Sequence, residues 1–96
     1  MAREKPVLPP RTVWGPTPYE LADAGAFQAL QRGEATPDQQ IRALKWLVYL
    51  ACETYEPSYR PTGDRDTSFA EGKRWVGLQV VKLCGLPLSK LKKDQE

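Results

Sequence analysis

Residues 64–85, DRDTSFAEGKRWVGLQVVKLCG, constrain this chain more than any other stretch. Charge crowds the start of the segment, an apolar arc runs through it, and Gly72 and Gly77 stand where a helix ordinarily avoids glycine. Each glycine costs about 1 kcal/mol against alanine in a helix interior. Close backbone packing is the usual compensation. Ala70 and Cys84 share the side of Gly77, so this edge is expected to lie tight against another helix, the alternative being a groove for another protein. The helix is expected to begin near Thr67 or Ser68, with Asp66, Thr67 or Ser68 as its cap. It should end at Gly85, because Pro87 blocks simple continuation. Phe69, Val76, Val80 and Leu83 line one edge of the arc, and Ala70, Gly77, Val81 and Cys84 the other. Glu71 and Arg74, three residues apart, form a pair worth about 0.2–0.5 kcal/mol if exposed. Lys73 falls inside the arc. Either its stem bends outward to keep the ammonium wet, or it pairs with Asp23, which similarly interrupts the first helix.

The rest of the chain is punctuated as clearly. Residues 1–16 hold Pro6, Pro9, Pro10, Gly15 and Pro16 and read as an extended arm. Thr17-Pro18-Tyr19-Glu20 spells a capping box with proline first, opening a helix that should run to about Arg32 and stop at Gly33. Its inward face is Tyr19, Ala22, Ala26, Ala29 and Leu30, small enough for a neighbour to come close. Thr36-Pro37-Asp38-Gln39 repeats the grammar and opens a second helix, which must end before Pro57. Ile41, Leu44, Leu47, Val48, Ala51, Cys52 and Tyr55 share one wide face there. No segment alternates with period two. The expectation is an all-α, three-helix domain over residues 17–88, with the arm at 1–16 and a charged tail at 89–96.

Composition then removes function classes. Ninety-six residues, 41% hydrophobic and 27% charged, suit one small folded domain. No apolar run approaches the roughly 20 residues that span a bilayer, and the N-terminus lacks the apolar middle of a secretion signal, so no membrane partner and cytoplasmic synthesis are expected. Histidine, the commonest general base near neutral pH, is absent. Cys52 and Cys84 lie in apolar helical patterns and read as reduced core thiols, with a bridge between helices the lesser reading. Asp64 and Asp66 beside Gly63 lack the ligand series of a calcium loop, and no zinc ligand set exists. No enzyme, cofactor or metal is expected. The net charge of +2 does not by itself indicate a nucleic-acid binder. The basic residues cluster in the arm (Arg3, Lys5, Arg11) and the tail (Lys90, Lys92, Lys93).

Aromatic placement gives the functional clue. Trp46 and Tyr49 fall on the polar side of the second helix among Arg42, Lys45 and Glu53. Trp75 lies off the apolar arc of the third, beside Leu78 and Lys82, and Trp14 belongs to the arm. The arm and the 56–66 loop could fold back over some of these rings, but little chain remains to cover all of them. Exposed tryptophan and tyrosine beside arginine compose interface hot spots. Trp14, Arg42, Trp46, Tyr49, Tyr59 and Trp75 are therefore the candidate partner-binding residues. A basic patch with interleaved aromatics also suits single-stranded nucleic acid, a reading weakened by Glu53, Asp66 and Glu71.

Over residues 27–88 the order of features resembles one family. Tyr55, Pro57, Ser58 and Tyr59 form an aromatic-Pro-Ser-aromatic loop. Asp64, Thr67, Phe69, Glu71, Gly72 and Arg74 then follow at the spacing Asp-x-x-Thr-x-Phe-x-Glu-Gly-x-Arg. The pattern is similar to that of the small tailed-bacteriophage proteins of the Bbp-nineteen-like phage domain family, although Thr36-Pro37 replaces the glycine-containing helix start more usual there. The family has no firmly assigned activity. The resemblance implies a phage-encoded accessory protein acting through binding. Asp66 as a cap and Gly77 as a close contact join Thr67, Phe69, Glu71, Gly72 and Arg74 as the candidate structural motif of the third helix. The expected partner is a larger protein in the virion or head; a host protein and packaging-linked nucleic acid are the alternatives.

Overall fold

A computed structural model describes residues 13–94. The expected arm, with Arg3, Lys5 and Arg11, lies outside the described residues up to residue 12. Four helices follow in order: α1 (Leu21–Gln31), α2 (Pro37–Lys45), α3 (Asp64–Gly85) and α4 (Leu88–Asp94). The domain is all-α, and the expected tail begins as α4 rather than as irregular chain.

Two of the helix starts differ from the sequence expectation. Helix α1 begins after Glu20, whose side chain accepts from the Asp23 amide while the Asp23 carboxylate accepts from the Glu20 amide at 2.8 Å. Two carboxylates thus do what Thr17 and Glu20 were expected to do, three residues later. Helix α3 begins at Asp64, not at Thr67 or Ser68. Gly63 has φ +140°, a conformation that side chains resist, and turns the chain directly into the helix. Asp64 and Asp66 then sit in the first turn, favourable against the positive end of the helix dipole. Asp66 bonds Thr62, and the Thr67 hydroxyl accepts from the Arg60 amide at 2.9 Å. Both residues pin the loop rather than cap the helix. The start of α2 follows the sequence, with Thr36 and Gln39 closing a reciprocal box at 3.0 and 3.2 Å. The stops at Gly33, with φ +72°, and at Gly85 also follow it.

The end of the second helical segment was not expected. From Trp46 to Ala51 the winding widens into a π turn, and the Cys52 amide reaches back to the Leu47 carbonyl at 2.9 Å. Thr54 then takes the Val48 carbonyl twice, by its amide at 3.1 Å and its hydroxyl at 2.7 Å. Glu53 between them adopts φ +46°. The helix stops there, well short of Pro57.

Helix α1 packs along α2, and α3 packs on the π turn. Ala26, Ala29 and Ala43 are buried, as the close approach of α1 to α2 requires, and Val48, Cys52 and Ala70 continue the core. Tyr19, Ala22 and Leu30, expected inside, are exposed, and so are Ile41, Leu44 and Tyr55 of the second segment. The junction with α3 is tight. A β-carbon placed on Gly77 would lie 1.8 Å from Thr54 Oγ1 and 3.0 Å from Cys52 Cβ. The expected close contact at Gly77 is present. Gly72 differs, since nothing lies within 4 Å of a β-carbon built there. Because Thr54 is held by the Val48 carbonyl, it cannot turn aside cheaply. Gly77→Ala is expected to destabilise the domain by about 1–3 kcal/mol, the usual range for overpacking a close contact, as read by chemical denaturation.

Candidate functional site

Ion pairs fix the elements around the candidate surface. Glu53, placed by its left-handed backbone, bridges Lys73 Nζ at 2.8 Å and Arg60 Nη2 at 3.2 Å. Lys73 Nζ also donates to the Val13 carbonyl at 2.7 Å and lies over the Phe69 ring. One cluster therefore ties the end of the π turn, the 56–66 loop, α3 and the chain entering from the N-terminal side. The expected alternatives for Lys73 are both corrected: its ammonium is turned inward, and its acid is Glu53 rather than Asp23. Asp23 pairs instead with Arg42 Nε at 2.8 Å, while Arg42 Nη2 reaches Glu20 at 3.1 Å. The Glu20 amide bond chiefly holds the Asp23 carboxyl below its ordinary value; burial opposes the shift, and Arg42 adds to it.

Three of the six candidate binding residues come together. Arg42, Trp46 and Tyr49 line one shallow depression of about 300 Å³ between α1 and the second segment, with Asp23, Lys45 and Leu50. Trp46 is half-buried there, not clear of the fold as expected. Its Nε1 donates to the Pro18 carbonyl at 3.0 Å, and its ring meets Phe27 edge-on at 5.4 Å. Arg42 is committed to two carboxylates. Both residues hold α1 in place, leaving Tyr49, 55% exposed, as the open ring of the trio. The other three are scattered: Trp14 stands edge-on to Phe69 at 5.8 Å, Tyr59 projects from the loop, and Trp75 is exposed on α3. Glu71 and Arg74 pair at 3.3 Å, as expected, beside Tyr55, Pro57, Ser58 and Leu78.

The most coherent surface is made largely of residues that the sequence assigned to the core, joined by the candidate binding residue Tyr49. Ile41, Leu44, Val48, Tyr49, Tyr55, Val81 and Cys84 line an apolar groove of about 280 Å³ between the second segment and the end of α3, with Lys45 at its rim. Tyr49 and Tyr55 lean on each other at 5.2 Å. Leu44 also joins Phe27, Leu30 and Leu47 in a second apolar depression, so the face continues toward α1. Period alone marked Ile41, Leu44 and Tyr55 as inward; nothing in the sequence said that, among the described residues, no element would cover them. Both cysteines are free. Cys52 is buried, as expected, whereas Cys84 is exposed at the groove, correcting its placement in the core. Burial pushes the Cys52 thiol up, with Lys73 acting weakly in the opposite sense. Among the described residues, no three His, Cys, Asp or Glu side chains gather as a metal set, and no helix is long and apolar enough to cross a membrane.

No family model, curated protein or solved structure matches the chain.

Two outcomes test this description. Because the folded pKa of Asp23 is lowered, its stabilising contribution is present above the ordinary carboxylate value and is lost as pH falls through the lowered one. Asp23→Asn is expected to remove that part of the acid-unfolding curve while costing stability at neutral pH, both read by circular dichroism across pH. Trp46→Ala is expected to cost about 3 kcal/mol, near the lower end for removing a packed aromatic ring, read by thermal denaturation.

Proposed function

We propose that the chain is a non-enzymatic accessory protein that docks on a larger protein through the α2–α3 groove. The observation that carries this reading is the apolar lining of Ile41, Leu44, Tyr49 and Tyr55, large side chains that stay open to water. Contiguous apolar surface rimmed by polar groups marks interaction sites, and the paired tyrosines supply rigid contact area with polar tips. The motif from Tyr55 to Arg74 resembles that of a tailed-phage family, so the proposed setting is a phage assembly, with the virion or head as the site of docking. A host protein is the other partner of the same chemistry.

Nucleic acid is the less favoured ligand. Arg32, Arg42, Arg60, Lys73 and Arg74 each lie within 3.3 Å of a carboxylate, which leaves them poorly placed to neutralise phosphates. Binding to DNA that weakens steeply with salt would reverse that preference.

The test is mass spectrometry of purified particles carrying the chain or its Ile41→Glu variant. Ile41 is 54% exposed, so the variant is expected to fold. Its incorporation should fall about five- to thirtyfold if the groove contributes an anchor of about 1–2 kcal/mol. Absence of the unaltered chain from particles, with recovery on one host protein that Ile41→Glu abolishes, moves the setting to the host cell. Unchanged incorporation of the variant rejects the groove as the docking site.

A further inference from the structure

The docking groove does not end at Tyr55. The same residue also lines a larger depression of about 640 Å³, together with Glu56, Pro57, Glu71, Arg74 and Leu78. One surface therefore runs from Ile41 and Leu44, past the paired tyrosines, to the loop after Tyr55 and the middle of α3. The junction is fixed from both sides of Tyr55. Thr54 is held by the Val48 carbonyl, and the Glu56 amide donates to the Glu53 carbonyl at 3.1 Å. A surface set in place before binding loses little freedom when a partner arrives.

The two ends of this surface differ in charge. Lys45 is the charged residue of the groove lining. In the larger depression Glu71 and Arg74 pair with each other at 3.3 Å, which leaves Glu56 as the unbalanced charge. Among the described residues neither Lys45 nor Glu56 pairs with an opposite charge, and both are exposed. Asp38 of α2 and Lys82 of α3 belong to neither lining. We propose that the occupant is an apolar segment of a protein partner, with a carboxylate at the Lys45 end and a basic side chain at the Glu56 end. The inference rests on the groove being the docking site and adds the chemistry of what docks there. Contact with Ile41, Leu44 and the tyrosines supplies the affinity. The opposite charges at the two ends set the direction in which the segment lies. Exposed ion pairs contribute little each, so they act on orientation and selectivity more than on strength.

Three labelled peptides with one shared apolar core test the proposal by fluorescence anisotropy against the full chain. The first carries glutamates at one end and lysines at the other, the second glutamates at both ends, the third lysines at both. The mixed peptide should bind tightest, by about two- to fivefold for each charge matched. Lys45→Glu should move the preference to the lysine-ended peptide, and Glu56→Lys to the glutamate-ended one. Equal binding of all three, a ranking that neither substitution moves, or no binding at all overturns the proposal. Ile41→Glu separates this outcome from the fate of the groove itself. If it weakens all three peptides while their ranking is flat, the polarity alone is lost. Binding indifferent to Ile41→Glu removes the groove reading as well. Sedimentation addresses the other occupant: a dimer that Ile41→Glu dissolves assigns the groove to a second copy of this chain and overturns the proposal.

Discussion

Thr54 sets its hydroxyl 2.7 Å from the Val48 carbonyl, and from that position it fills the space that a β-carbon on residue 77 would need. The contact fixes where α3 crosses the π turn, and the remaining long-range geometry is arranged around it. Thr54 can reach Val48 only because the winding has widened into a π turn and because Glu53, just before it, takes a left-handed conformation that side chains disfavour. That conformation costs about 1–3 kcal/mol where surrounding structure holds it. Here the surrounding structure is the Glu53 carboxylate itself, gripped by Lys73 and Arg60. Strain at one backbone position thus aims the charge that joins the loop, α3 and the Val13 carbonyl.

Those pairs are partly buried, with side chains 16–23% exposed. Pairs of that kind offset the desolvation of their charges more than they add net stability. Their effect is on arrangement, since an alternative crossing of α3 would leave Glu53 or Lys73 unpaired away from water. The Asp23–Arg42 pair acts similarly at the seam of α1 and α2. The apolar contacts there are made mainly by alanines, which allow closeness but bury little area.

A core built mainly on small side chains, alanines with Val48, Cys52 and Thr54, leaves many of the larger apolar side chains elsewhere. Ile41, Leu44, Tyr49 and Tyr55 surround a groove, and Phe69, Val76 and Leu83 run along an open helix edge. Both surfaces follow from α3 packing on the short π turn rather than along the full length of α2. A surface formed in this way suits binding, because its rigid walls are set by contacts lying beneath it.

Local chemistry determined much of this protein from sequence alone. Thr36-Pro37-Asp38-Gln39 fixes the start of α2, since its donors and acceptors lie within four residues, and Gly33 and Gly85 fix the ends of α1 and α3 for the same reason. Gly77 announced a close contact because a costly glycine in an apolar arc has few other uses. Tertiary structure decided what lay opposite. Thr54 against Gly77, Glu53 beside Lys73 and Pro18 beneath Trp46 join residues 20 or more apart, and no pattern of period or capping carries their distances. The apolar period of the second segment was legible, but its exposure was not: periodicity tells which side chains avoid water, and only the packing of the other helices decides whether this chain covers them.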